Sequence, residues 1–471
     1  MPYIGNQPGT GVRSRFIFTA TASQTTFSGA DDNSKTLKYA DSAYVDVFLN
    51  GICLVPGTDY TASTKTSIVL TQAASLNDTL EVVAYDIASM DDSISAADGG
   101  TFQSDVTFAD GADIITASKG TDNVRIGENA GASIASGGNQ NTLIGKVAGT
   151  AITTGDDNVA VGAFSLNSNT TASDNTACGY SALEKNTTGE QNTAVGYKAL
   201  EANTTAPRNT AVGFESLKAN TTGDNNTAIG ERSGASNTTG HNNTFLGQDA
   251  GELNTTGDYN VAVGSDALDA NTTADSNTAV GYAALGVNTT AANNVAVGAN
   301  ALQANTTGGP NSAFGKGAMA SNTTGHSNTA VGFEAFVSNQ TGNETVAVGD
   351  QALYACTVGF NTAVGFHAGL DVTTGTANIL VGGEAGENIT TGQNNTAIGH
   401  QSIRAVTTAS NNTGCGFKTG LQITSGTQNT LVGSEAGDHL TTGSYNTFIG
   451  YSVGSYSTNA TTGQRNTCIG A

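Results

Sequence analysis

Tryptophan is absent from this 471-residue chain, and proline, cysteine and methionine are scarce at 5, 5 and 3 residues. Basic residues are few as well: 17 Lys and Arg against 39 Asp and Glu leave a formal charge of −22. That balance supplies no cationic track for a phosphate backbone and argues against nucleic acid as a partner. The charge is spread rather than blocked, which reads as a soluble acidic surface. No stretch approaches the roughly 20 apolar residues of a membrane helix, and the start MPYIGNQPGTGVRSRF carries no apolar signal core. Neither membrane insertion nor ordinary secretion is therefore expected. Cys53, Cys178, Cys356, Cys415 and Cys468 form no CxxC pair, so neither a disulfide framework nor a thiolate metal site is expected. They read as small core residues of a protein assembled in a reducing cytoplasm.

Against these absences stand 61 glycines and abundant Asn and Thr, a composition suited to short strands and tight corners and poorly suited to helices. A glycine closes a five-residue unit of the type Asn-Thr-Ala-Val-Gly again and again from Gly127 to Gly470. There are 21 such marker glycines, and seventeen of the twenty steps between them are 17 residues long, the others being 18, 16 and 20. A period this short has no room for a helical pair. It predicts a one-dimensional stack in which each unit buries its apolar face against its neighbours.

Numbering each unit from its marker glycine, position −4 is Asn in 20 of 21 units, −3 is β-branched except at Ser312, and −1 is always apolar or Cys. This alternation puts −3 and −1 on one face of a short strand and −2, usually Ala, on the other. Both faces are mostly uncharged, and the expectation is that the coil interior covers one and a neighbouring subunit the other. At +4 stands a large apolar residue in eleven of the twenty full units, such as Leu166, Leu200 and Phe336, and Gly in the other nine. In six of those nine the bulk reappears at +7, as Ile134, Ile152, Val372, Ile389, Ile423 and Leu440, which reads as volume compensation in a close-packed interior. Eleven successive units instead carry Asn at +7, from Asn169 to Asn339. Stacking at about 4.8 Å would set these amides one above another as a hydrogen-bonded ladder. The Asn-Thr-Thr sequences also match a glycosylation sequon, and the ladder is preferred because nothing indicates a eukaryotic secretory route. Each unit is expected to hold two short strands and two turns, and twenty steps give a rod of about 95 Å.

The fold class expected is all-β: a small N-terminal β-sandwich-like domain over residues 1–95, lead-in strands over 96–122, and a parallel β-solenoid of about 21 coils over 123–471. Within the first domain, RFIFTAT, YVDVFL, ICLV, SIVLT and TLEVVAY read as strands. Asn50-Gly51 reads as a two-residue hairpin turn and Pro56-Gly57 as the next corner. In the linker, TFQSDVTF and ADIITA alternate like strands leading into the first coil.

Units such as NTAVGYKAL and NTAIGERSG resemble the head repeats of trimeric autotransporter adhesins, which form parallel β-rolls assembled as trimers. The N-terminal MPYIGNQPGTGVRSRF, YVDVFLNGICLVPGTDY and TLEVVAYD are similar to the start of tail-fibre and related virion proteins of marine phages, particularly cyanophages. The second resemblance implies an N-terminal domain that joins other virion proteins and a distal rod, as a homotrimer, that meets a glycan or protein of the host surface. It also implies assembly in the host cytoplasm and a place in the virion. The period is longer than in the adhesin heads, and no membrane-anchor barrel is apparent.

No catalytic constellation stands out, and no enzyme activity, metal or cofactor is expected. His241, His326, His367, His400 and His439 fall in different phases of the repeat, without metal-ligand spacing. Aspartates such as Asp156, Asp224, Asp258 and Asp275 sit in turns, where their own turn chemistry accounts for them. The candidate surface-binding residues are Tyr180, Tyr197 and Phe214, which follow the marker glycine in three consecutive coils. They form either a strip for stacking on sugar rings or packing at a subunit interface. A non-receptor virion component is the alternative function, and a Thr-lined crystal-binding face a more distant one. The last unit, Cys468 to Ala471, is expected to be covered by subunits or another protein.

Overall fold

The computed structural model describes residues 12–39, 41–86, 120–455 and 462–470. These fall into two compact units, one on each side of the 87–119 stretch. The expected lead-in strands TFQSDVTF and ADIITA and the insertion near Tyr456 lie outside the described residues.

The described residues of the first unit form seven strands: β1 (Val12–Thr19), β2 (Gln24–Ser28), β3 (Val45–Leu49), β4 (Ile52–Cys53), β5 (Tyr60–Thr61), β6 (Ser67–Ala74) and β7 (Thr79–Asp86). They form two antiparallel sheets, ordered β1-β7-β3-β4 and β2-β6-β5. Phe16, Val47, Leu80 and Val82 of the first sheet share one core with Phe27, Ile68, Leu70 and Tyr60 of the second, which makes the unit a small sandwich. Asn50 and Gly51 take φ of 48° and 80°, the pair of left-handed values that a tight hairpin turn requires. Two buried phenols are satisfied by backbone: Tyr60 donates to the Val45 carbonyl at 2.9 Å and Tyr39 to that of Ser67 at 2.7 Å. Buried Asp31 accepts N–H bonds from Ile17, Asn33 and Lys35 at 3.0, 3.0 and 2.7 Å. Burial pushes its carboxyl up, but these donors outweigh it and hold the group below the usual carboxylate range.

The second unit is a parallel β-solenoid whose 21 strands run from β8 (Val124–Ile126) to β28 (Thr467–Ile469), each paired in register with the same strand of the next coil. The ladder is open, since the pairings run from one coil to the next and none joins β28 to β8. Pairing places Ala194 on Ala211 and Val195 on Val212, so every position of the repeat forms a row along the stack. The −2 row is buried from Leu143 to Phe448, as in Ala160, Ala177 and Ala194, and meets the +4 row of Leu166, Leu183 and Leu200 to form the interior. Positions −3 and −1 face outward and remain partly exposed.

Among the described residues only one strand per coil forms, of three residues in most coils, where two were expected. The second half of the coil is a chain of turns because positions +2 and +4 take positive φ, as in Lys198 at 56° and Leu200 at 52°. Extended backbone cannot pass through such residues. The turns are nonetheless laddered: Lys198 N–H bonds the Tyr180 carbonyl at 2.9 Å and Leu200 N–H that of Ser216 at 3.1 Å. The marker glycine closes the strand at φ of 127° to 144°. A Cβ on Gly281 would lie 2.6 Å from the Gly298 carbonyl carbon, so no side chain fits beneath the next coil.

The cysteine expectation needs correcting. Cys356 is buried, and its thiol is pushed up to about 11 by that burial, but Cys53, Cys178, Cys415 and Cys468 are exposed. Cys178 and Cys415 occupy −1, whose side chains leave the strand on the side away from the coil interior, whereas Cys468 is at −2 in the last described strand. Among the described residues none provides the cover expected over the last unit, where Ile469 stands 74% exposed.

Candidate functional surface

Asparagine decides how the coils hold their side chains. From Asn186 to Asn339 each +7 amide donates to the amide oxygen one coil earlier, at 2.7–3.1 Å. All are buried, which leaves no room for a glycan on them. A second ladder runs through position −4. The Asn192 oxygen accepts the Asn209 backbone N–H at 2.9 Å, while Asn192 Nδ2 bonds the Ala206 carbonyl at 2.9 Å. The Thr at +8 donates to the carbonyl of its counterpart in the next coil, as Thr187 does to Thr204 at 2.9 Å, while the Thr at +9 is exposed. With the interior and corners committed in this way, the surface is left to the outward strand face and its flanks.

The candidates Tyr180, Tyr197 and Phe214 come together beside that face. Their ring centroids are 5.5 and 5.2 Å apart with interplanar angles of 12° and 9°, and they are 47%, 42% and 47% exposed. Phe164, at +2 rather than +1 and so outside the pattern read in the sequence, extends the row edge-on to Tyr180 at 5.6 Å. Lys198 Nζ lies 5.6 Å from the Tyr197 centroid. Stacked in this way, the rings turn their faces to one another and their edges to solvent. Tyr197, between two rings, has both faces taken, whereas a sugar ring stacks on a free aromatic face.

The strand face itself is the larger feature. Across all 21 coils, positions −3 and −1 carry no charged residue; Arg125, the charged residue of the first strand, is at −2. They are Thr, Val, Ile, Leu, Phe, Ser or Cys throughout. Ile229, Phe314, Ile379 and Ile398 on this face are among the exposed large apolar side chains.

A shallow groove is lined by Lys185, Glu201, Lys218, Arg232 and Glu252 together with Ala202, Ala219 and Ala235, and most of its charged side chains are paired. Lys218 meets Glu215 at 2.7 Å, Lys198 meets Glu201 at 3.3 Å, and Arg232 bridges Asp249 and Glu252. Pairs this exposed contribute about 0–1 kcal/mol each. Beside them Asp269 is raised above the usual carboxylate range by its burial and then by Asp249 and Asp266.

The turn aspartates bond neighbouring coils: Asp258 accepts the His241 N–H at 2.6 Å and Asp275 that of Asp258 at 2.8 Å. His241 pairs with Asp224 at 2.5 Å and His439 with Asp438 at 2.8 Å, both on the surface. Among the described residues no three His, Cys, Asp or Glu converge as metal ligands.

The architecture defines the class: a parallel β-solenoid repeat protein with a small β-sandwich unit. The chain matches no protein-family model, no curated protein and no solved structure.

Proposed function

We propose that the chain is a phage tail fibre, working as a homotrimer in the virion, without enzymatic activity. Residues 1 to about 95 join other virion proteins, and the solenoid is presented to a glycan or protein on the host surface. The observation that carries this reading is the unbroken ladder of 21 coils with its uncovered outer strand face. A repeat array of this kind gains length without a larger core, which suits a spacer or presentation rod. The similarity of the N-terminal stretch to marine phage tail-fibre proteins adds the virion context.

The mutual stacking of Tyr180, Tyr197 and Phe214 favours a second reading, a non-receptor virion component, because it removes ring faces from sugar contact. The two readings part in an adsorption experiment with purified full-length chain and candidate host cells. Saturable binding that blocks phage adsorption is the expected result. Absence of binding by a folded oligomer would overturn the receptor role and leave the structural one.

A further inference from the structure

We propose that the outward strand face, the paired −3 and −1 rows from Val124–Ile126 to Thr467–Ile469, is the contact through which copies of this chain pack on one another. The inference rests on the self-association in the fibre reading, not on its phage context. Three observations carry it.

The first is chemical. All 42 positions of the two rows are uncharged, although 12% of the chain is Asp, Glu, Lys or Arg. Charge instead lies on the groove side, in Lys185, Glu201, Lys218 and Arg232, and in turn residues such as Asp157, Asp174 and Arg208. An uncharged centre, Val, Ile, Leu or Phe in nearly all of one row and mostly Thr in the other, with a charged rim matches the depletion of charge at the core of a protein contact.

The second is areal. Twenty steps at about 4.8 Å and a strip roughly 10 Å wide make about 950 Å², above the ~800 Å² that a stable contact takes from each partner.

The third is shape. The in-register ladder makes the face continuous, and Tyr180, Tyr197 and Phe214 border it as a fixed ridge rather than as independent side chains. A second copy is the occupant whose surface has the same length, the same 17-residue repeat and the same absence of charge. A charged polymer would find nothing on this face to pair with.

The cysteines supply the test. Cys178 lies in the fourth coil and Cys415 in the eighteenth of 21, each fourth from an end, and both point out of this face. In the full chain carrying Cys53→Ser and Cys468→Ser, a bismaleimide spanning about 10 Å, the separation of facing sheets, reports what lies opposite each thiol. Cross-links joining Cys178 to Cys178 and Cys415 to Cys415 are expected and mean parallel packing. Cross-links joining Cys178 to Cys415 would mean antiparallel packing; they uphold the contact and overturn the fibre reading, which needs the sandwich units of all copies at one end.

Independently, the triple variant Val212→Glu, Val280→Glu, Val331→Glu should weaken association by at least about 100-fold in sedimentation, because like charges would face one another across the contact. Its far-ultraviolet circular dichroism checks the fold. An oligomeric wild type with no cross-links and an unchanged folded variant would overturn the face while leaving the fibre reading standing. A monomeric wild type overturns both.

Discussion

At the scale of single residues, the interior obeys a volume rule that couples neighbouring coils. The exchange between +4 and +7 is legible in the sequence, but it leaves Gly234, Gly251 and Gly454 without a compensating side chain. In the structure they are filled from the −2 row of an adjacent strand: Phe245 lies against both Gly234 and Gly251, and Phe448 against Gly454. Leu143 does the same between Gly131 and Gly149, Leu380 between Gly369 and Gly386, and Leu431 between Gly420 and Gly437. Conversely Gly414 stands at −2 beside Ile403, where a Cβ would lie 2.7 Å from Ile403 Cγ1. This part of the rule is hidden in the sequence because the partners lie in different phases of different coils. Backbone conformation is not the obstacle at +4, since Leu200 and Leu268 occupy it at φ of 52° and 53°. Space is. Gly251→Leu should therefore destabilise the solenoid by about 1–3 kcal/mol through overpacking against Phe245. Adding Phe245→Ala and Gly234→Leu, which recreates the ordinary Leu coil, should recover most of that loss in chemical denaturation. Equal stability of the single and triple variants would contradict the rule.

At the scale of the coil, the strand contributes less order than the amides around it. The +7 ladder is legible because Asn recurs without a break from Asn169 to Asn339. The −4 ladder is not, because an Asn just before a strand reads as a turn residue; only the register shows its oxygen on the next coil's N–H. The ladders also explain the one shortened step, from Gly349 to Gly365. There Thr345 and Cys356 replace the Asn of the two rows, and Asn361 Nδ2 turns to Cys356 Sγ at 3.7 Å. Beyond it, Val372, Ile389 and Val406 fill the +7 row, so this coil joins an amide-cored stretch to an apolar one. The position of an Asn within its ladder should set its contribution. Within the ladder Asn254 donates to Asn237 at 2.8 Å and accepts from Asn271 at 2.7 Å, whereas Asn169, at the end of the row, accepts from Asn186 and donates only to the Ala172 carbonyl of its own coil at 2.9 Å. Asn254→Ala takes a ladder partner from two buried amides, the Asn237 oxygen and one N–H of Asn271, and Asn169→Ala from one, an N–H of Asn186, at about 1–3 kcal/mol for each. Denaturation midpoints should fall further for Asn254→Ala; equal falls would mean that the amides act independently.

At the scale of the whole molecule, the period and the number of coils are legible, whereas which strand face turns inward is not, because both are uncharged. Size decides it: with Leu200 and its counterparts inside, only a residue as small as Ala fits opposite, and Thr and Val are left outside. Every contact then repeats with the marker glycine, so the solenoid should tolerate loss of a whole period and not of half of one. Deleting residues 282–298 joins Gly281 to Ala299 and carries every row across the junction in phase. The shortened chain should keep its circular dichroism per residue, lose about 4.8 Å of length in small-angle scattering, and retain the proposed self-association, because one coil is a small share of the face. Deleting residues 282–290 instead sets turn residues beneath a strand and unpaired amides inside the core, and cooperative unfolding at much lower denaturant should follow. Comparable stability of the two deletions would mean that the coils do not depend on their neighbours, and the stacking that defines the rod would have to be abandoned.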